Sequence, residues 1–509
     1  MFAPRLVLAA ALSAALASPL MSGTAAAETT LRVGLAEDPD ILDPTLARSY
    51  VGRIVFAAIC DKLFDIDENL KIVPQLATSY EVSPDGKEVL IKLRPGVLFH
   101  DGEKLDAEAA KFSLERHLTM KGSFRRGEIS PIDKIEVVDP LAIKLVLKAP
   151  YSPLVAQLTD RSGMMVSPKA AKEMGDKFGT KPVCAGPYKF VERVAQQRIV
   201  VEKFANYWDK ANVHIDKIVY QPIEDATVRL ANLRSGNLDI IERMLATDLD
   251  SVKKDGKLKL ASGLELGYVG ITMNLLNGDR SKTPFLQNAK VRQAFDLAID
   301  RQAIVQVVFA GEFVAGNQWV SPQNSMYQQS MPVPKRDVAA AKKLLAESGV
   351  KLPVTVEMMV PNAADSRQVA EVIQSMVKEV GIEVKIRVTE FATALTAANK
   401  GDFETFLIGW SGRPDPDGNL FGFIACKAPF NDGHYCDAEV EKLLAQQRSV
   451  NDPAARKKIF EQIAAKTLKE GPIYYIYHRR LFFPYSPKLE GFKAMPDGMI
   501  RVVGLKLAP

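Results

Sequence analysis

The sequence predicts an α/β protein of more than one domain, and three observations predict it. Strands alternating at period two are interleaved with helix stripes at spacings of three and four, most clearly from Val354 to Ile408. A stretch of about a hundred residues, roughly 73–182, reads mainly as β. At 509 residues the chain exceeds what one hydrophobic core usually serves.

In order along the chain, Leu31, Val33 and Leu35 alternate as a strand. Val51, Ile54, Val55, Ala58, Ile59 and Leu63 then mark one apolar helix face with Cys60 beside it. In the β-rich stretch Val89, Ile91 and Leu93 alternate, Asp106 can cap a helix from Ala107, and Ile135 to Leu147 reads as a hairpin around Asp139-Pro140. Around Pro182–Tyr188, Gly and Pro punctuate a return to new strands, and a helix from Asp225 to Ser235 ends at Gly236. A second lobe begins around Tyr268–Asn274. Within it, the strand Val354–Val360, the helix stripe Val369–Val377 and the strand Ile382–Val388 form a βαβ unit, which implies parallel strands joined by a right-handed crossover. Phe403 to Ile408 is a buried strand, 437–470 is a polar helical region, and Ile473–Tyr477 is a last aromatic strand.

Composition narrows the function classes. Formal charge is +5, and past the first 27 residues, where only Arg5 is charged, 65 basic residues face 61 acidic ones. No Lys/Arg stripe with interleaved aromatics stands out, so a nucleic-acid partner is not expected. Arg5, the apolar run Leu6–Leu20 and the exit Ala25-Ala26-Ala27 read as a secretory signal peptide cut after Ala27. The run is too short to span a bilayer, which takes roughly 20 residues. The expectation is a mature protein exported to the periplasm, not itself membrane-spanning.

An exported chain permits disulfides. Cys60, Cys184, Cys426 and Cys436 allow three pairings. Cys426 and Cys436 flank a turn-rich loop with Pro429, Asn431, Asp432 and Gly433, which suits a short closed ring; Cys60–Cys184 then follows by elimination. Metal binding is not expected, because the spacings are not C-x-x-C and only His434 lies close.

The strand Phe403–Ile408 feeds directly into Gly409–Cys436, where Trp410, Ser411, Arg413, Asp415 and Asp417 stand among turn formers. Ligands of open α/β sheets bind beyond the carboxyl ends of strands, so this stretch is a candidate binding-site wall. Asp415-x-Asp417-Gly418 looks like half a calcium loop, but Arg413 occupies the first ligand position and no Glu closes it. Gly409-Trp410-Ser411-Gly412-Arg413 approaches a nucleophile elbow, but Arg413 breaks the frame and no helix obviously follows. No H-E-x-x-H and no Gly-rich phosphate loop occurs, so an enzyme, for instance a secreted hydrolase, is the distant alternative.

Motifs along nearly the whole mature chain resemble the family 5 extracytoplasmic solute-binding proteins, the oligopeptide- and dipeptide-binding components of ABC importers. They are Pro39-x-x-Leu42-Asp43-Pro44, Pro74-Gln75-Leu76-Ala77 before Ser83-Pro84-Asp85-Gly86-Lys87, and Leu93-Arg94-Pro95-Gly96-Val97-x-Phe99-His100-Asp101-Gly102. Gly186-Pro187-Tyr188, Asn206-Tyr207-Trp208 and Val291-Arg292-Gln293-Ala294 with Ala298-Ile299-Asp300-Arg301 follow in family order. The resemblance implies a type II periplasmic-binding fold with two lobes, a hinge and an extra β-rich domain. Mapped onto this chain, the signal peptide is 1–27, lobe 1 is 28–72 with 183–270 and 488–509, the β-rich domain is 73–182, and lobe 2 is 271–487.

The same resemblance implies a binder of a short peptide, or of a peptide-like conjugate such as an opine, working as a monomer with membrane permease subunits and without a cofactor. A metal-chelate or sugar-phosphate solute is the alternative within the class. Peptide-binding members hold the ligand's α-ammonium group with an aspartate after the Gly-Trp pair. Alignment on Gly409-Trp410 puts Arg413 there, which would favour an anionic ligand group, while a one-residue gap puts Asp415 there instead. Tyr151 matches a segment that supplies a ligand-facing aromatic, Trp319 is a weaker aromatic candidate, and Asn274 falls on the segment crossing between the lobes.

Overall fold

The computed structural model describes residues 28–508; the expected signal peptide lies outside them. Three sheets carry the architecture. The strand Thr30–Leu35 sits in the middle of a seven-stranded sheet, between parallel neighbours Lys217–Pro222 and Ile240–Ile241. A six-stranded sheet is built around Tyr268–Met273, Thr405–Trp410 and the parallel pair Val354–Pro361 and Ile382–Thr389. The third sheet has four antiparallel strands between Ala77 and Leu147.

The βαβ unit forms as the periodicity predicts. The helix Ala364–Lys378 buries Val369, Ile373 and Val377, and Gly381 takes φ +94°, a left-handed turn that a side chain would resist. Helix starts follow their caps: Asp106 accepts from the Ala109 amide, Asp225 from Val228 and Asp337 from Ala340. The hairpin between Ile132–Asp139 and Ala142–Leu147 stands where Asp139-Pro140 marks it. The β-rich stretch also carries helices, notably Ala107–Thr119, which packs on the Ile132–Asp139 strand.

Two features depart from the expected boundaries. Ile473–His478 is not the last strand. Arg480–Tyr485 follows, and it pairs with Lys259–Leu264 in the seven-stranded sheet, whereas Ile473–His478 pairs with Tyr268–Met273 in the six-stranded one. The chain therefore changes sheets at Glu265–Gly267 and at Arg479, not at 270/271 and 487/488. Asn274 accordingly lies past the crossing. It is buried at the end of its strand, where its amide donates to the carbonyls of Asn277 and Phe403.

The two cysteine pairs are Cys60–Cys184 and Cys426–Cys436. The first closes a long loop, worth about 4–5 kcal/mol in the chain-entropy treatment, and the second a ten-residue ring worth about 2–3 kcal/mol. Among the described residues, no helix is long and apolar enough to cross a membrane.

Candidate functional site

The carboxyl ends of strands from both large sheets converge on one cavity of about 340 Å³. Its first side comprises Glu37, just past the first strand, Glu224 and Arg229 beyond Pro222, and Arg243 beyond Ile241. The second side comprises Asn362 and Asp365 beyond Pro361, and Trp410 and Ser411 at the end of Thr405–Trp410. Tyr50, Tyr268, Phe423 and Phe430 add an aromatic lining. Polar bridges join the sides, among them Arg48 paired with Asp432 at 2.8 Å and the Asn362 amide donating to Glu224 at 3.2 Å.

Both sheet crossings also line the cavity, through Glu265 and Arg479. The two segments are held together by the Glu265 amide donating to the Arg479 carbonyl at 2.9 Å. Close packing fixes them in place. A Cβ on Gly267 would fall 1.6 Å from the Trp410 carbonyl oxygen and 2.6 Å from the Gly412 nitrogen, and Gly412, at φ +78°, in turn packs against Leu266 and Gly267. The His478 ring hydrogen-bonds the Gly267 carbonyl through Nδ1 at 2.7 Å. Gly409 leaves space for Arg479, whose Nη1 would lie 2.6 Å from a Cβ at that position.

The electrostatics are asymmetric. No carboxylate of the described residues lies in ion-pairing range of the half-buried Arg479 guanidinium. The Glu265 carboxylate is 2% exposed, and its Oε2 has no hydrogen-bond partner. Burial raises its pKa, and the charge of Arg479 only partly opposes that. Glu37 is likewise raised by burial, although Arg243 stands 3.2 Å away, and its Oε1 is unpartnered. Burial works against the charge of Arg243 itself, but Glu37 and Glu242 outweigh it and hold the group above its usual range. Among the described residues, the lining thus offers Arg479, which like Arg229, Arg367 and Arg480 has no carboxylate in ion-pairing range, and at least two under-satisfied carboxylates. That set matches a solute carrying both an anionic and an ammonium group.

Of the residues singled out in the sequence, Trp410 and Ser411 line the cavity. The Trp410 indole donates to Asn419 at 3.0 Å and packs against Phe423 and Phe430. The others face elsewhere. Arg413 is 2% exposed and turned away from the cavity, with its guanidinium over the Trp410 ring and its Nε 3.4 Å from Asp160. Asp415 is gripped by Arg456 through two hydrogen bonds of 2.7 Å. Asp417 is fully buried against Arg448 and Gln447, and Tyr151 donates to the Glu128 carbonyl with Asp417 3.4 Å from its hydroxyl. Trp319 is a core residue against Phe460 and Tyr475. A helix, Asp417–Ile424, does follow the Gly-Trp-Ser segment, yet the Ser411 hydroxyl accepts from Arg53 at 2.8 Å and is not hydrogen-bonded to a histidine.

The residues missed in the sequence are Glu265, Arg479, Glu37 and Arg243. The available signal was a lone charge inside an apolar run, as in Leu264-Glu265-Leu266.

Comparison with known proteins places the chain in a family. Residues 71–431 match the profile described as bacterial extracellular solute-binding proteins, family 5 middle. A glutathione-binding protein, GsiB, of Pectobacterium atrosepticum is 30% identical over 504 residues, covering 97% of this chain and 96% of that one. The structure of AgaA in complex with agropinic acid, from A. tumefaciens R10, superposes with a TM-score of 0.87 at 29% identity, over 94% of this chain and 99% of that one. The oligopeptide-binding protein AppA of Bacillus subtilis, solved with a nonapeptide, superposes with a TM-score of 0.85 at 25% identity, over 95% and 100%. The type II binding-protein fold, the two-sided cavity and these matches lead to one conclusion: the chain belongs to the family 5 bacterial extracellular solute-binding proteins.

Proposed function

We propose that the protein captures a small zwitterionic, peptide-like solute, a short peptide or an amino-acid conjugate of the opine type, in the periplasm and delivers it to the permease subunits of an ABC importer. The observation that carries this reading is the unpaired Arg479 guanidinium facing the same cavity as the under-satisfied Glu265 and Glu37 carboxylates. Arg479 takes the solute's carboxylate, the two glutamates take its ammonium group, and Trp410, Ser411 and Tyr268 shape the space between. A glutathione-binding relative and an agropinic-acid-bound neighbour support the size and charge of such a solute.

No bond is made or broken in this reading. Solute binds the closed arrangement in preference to the open one, and the Arg48–Asp432 and Asn362–Glu224 bridges complete closure around it. The test is a thermal-shift and calorimetric screen of the mature protein with reduced glutathione, di- and tripeptides, opines, and their amidated and N-acetylated forms. Ligand at a hundred times its Kd raises stability by about 2.7 kcal/mol. The expected result is a saturable response that is lost when either terminal charge of the solute is blocked. Equal binding of the blocked and free forms overturns the reading.

A further inference from the structure

One patch of the cavity lining takes no part in charge recognition. Leu245, Phe309, Phe313 and Phe482 face the same cavity as Arg479 and bring no polar side-chain atom to it. They come from three segments. Leu245 follows the strand Ile240–Ile241, Phe309 ends the helix Arg301–Phe309 with Phe313 just beyond it, and Phe482 lies on Arg480–Tyr485. The backbone sets the turn between Phe309 and Phe313. Ala310 and Gly311 take φ +50° and +80°, and the Glu312 amide donates to the Phe309 carbonyl at 2.9 Å. The chain doubles back, and the Phe313 ring stacks on Phe309 with centroids 4.2 Å apart and planes 19° apart. The Phe482 ring lies 6.4 Å from Phe313 at 24°.

The four differ in how far the protein covers them. Phe309 and Phe482 are buried as core residues, whereas Leu245 and Phe313 stay half-buried. The side-chain surface those two leave open is apolar. A solute group that covers it gains hydrophobic free energy, and a polar group placed there loses its water without finding a partner on these side chains. Tyr477 ties the patch to Arg479. Its ring centroid lies 4.8 Å from Phe309 and 5.7 Å from Phe313. It stands two residues before Arg479, and burial raises its hydroxyl pKa while the Arg479 charge opposes that rise. The apolar patch and the cation assigned to the solute's carboxylate are therefore neighbours.

We propose that Leu245, Phe309, Phe313 and Phe482 form an apolar subsite next to Arg479, so that the protein selects solutes whose carboxylate-bearing residue also carries an aliphatic or aromatic side chain. The inference rests on the zwitterionic-solute reading and narrows it to a substrate class. The charged ends place the solute, and the apolar group decides among solutes that share those ends.

The experiment is calorimetry of the mature protein at several temperatures with two matched series. The peptide arm compares alanyl-alanine, alanyl-glutamine, alanyl-leucine and alanyl-phenylalanine with the reversed leucyl-alanine and phenylalanyl-alanine. The opine arm uses the N-(1-carboxyethyl) derivatives of alanine, glutamine, leucine and phenylalanine. In whichever arm binds, the leucine and phenylalanine members are expected to bind about tenfold tighter than the alanine and glutamine members, with a more negative heat-capacity change. The reversed dipeptides lose most of that gain. In Phe313→Ala, and separately in Leu245→Ala, the advantage shrinks to about threefold or less; urea melts check that each variant is folded. If neither variant folds, the wild-type series still decides. Equal affinities across the side chains, or an equal gain from the reversed dipeptides, overturn the subsite and leave the zwitterionic-solute reading standing. Variants that weaken every solute by the same factor also overturn it, since that is the behaviour of a packing contact. No binding in either arm overturns the solute reading and this inference with it.

Discussion

Glu265 and Arg479 meet backbone to backbone at 2.9 Å, at the two points where the chain passes from one large sheet to the other, and both side chains line the cavity. Charged cavity lining and sheet crossing therefore fall on the same pair of residues. Arg479→Gln is expected to lower affinity for a carboxylate-bearing solute about 10–100-fold, the worth of a charge-assisted hydrogen bond. Because Arg479 has no carboxylate in ion-pairing range but its charge offsets part of the burial of Glu265, the loss in urea unfolding should stay below about 1 kcal/mol. Calorimetric titration beside a urea melt checks both; unchanged affinity removes Arg479 from the site.

Gly409→Ala tests the same contact without touching a charge. The added methyl would lie 2.6 Å from Arg479 Nη1 and 3.1 Å from its Cζ, so the guanidinium must swing aside while the strand backbone stays in place. The expected outcome is roughly a tenfold loss of solute affinity with less than about 1 kcal/mol lost in stability. Equal losses in both would mean that the strand itself had been disturbed.

Asp417→Ala should separate stability from binding in the opposite sense. Its carboxylate is fully buried and takes both the Arg448 side-on edge and Gln447, so its removal leaves a buried guanidinium without a partner. A loss of about 3–5 kcal/mol in urea unfolding is expected. Solute affinity, measured where the variant is still folded, should stay within about threefold of wild type, since Asp417 does not line the cavity.

Acid should destabilise the protein well above the carboxylate range. Burial lowers His100, His117 and His478 to about 4 each, so the folded protein holds fewer protons on them than the unfolded chain does. Stability from these groups is present above about pH 6.5 and is lost as pH falls towards 4, by about 2 kcal/mol per histidine between pH 7 and pH 5. Asp61 works the other way. Burial raises it to about 6, against the hydrogen bonds from Trp208 and Tyr207, so the folded state gains protons there and recovers about 1 kcal/mol over the same interval. Urea midpoints at pH 7, 6 and 5 should fall steadily. His117→Gln should flatten the slope, because the ring nitrogens bridge the Thr45 hydroxyl and the Met164 carbonyl in a fully buried setting.

Sequence patterns reveal what repeats locally and miss what depends on distant partners. The βαβ unit from Val354 to Thr389 was legible because both strands alternate and Gly381 punctuates the return. The crossing at Arg479 was not. Tyr474 to Phe483 reads as two apolar and aromatic runs broken by His478-Arg479-Arg480, and the break alone does not say that the two runs pair in different sheets. Arg413 was singled out as an unusual charge just past a strand end. Its direction, however, is decided by Asp160, Arg53 and Arg161, far upstream, and burial against a distant acid leaves no mark on local sequence. Trp410 was readable as a wall residue because a strand end fixes it by position alone.

The Cys60–Cys184 bond joins the end of the first helix to the point where the chain re-enters the first large sheet. Everything between them, including the whole four-stranded sheet, is an excursion whose neck is covalently closed. A single proteolytic cut anywhere in that excursion leaves two chains still joined at the neck. The cut protein keeps its mass on a non-reducing gel and separates only when a thiol is added, so the bond doubles as insurance for an exported protein exposed to proteases.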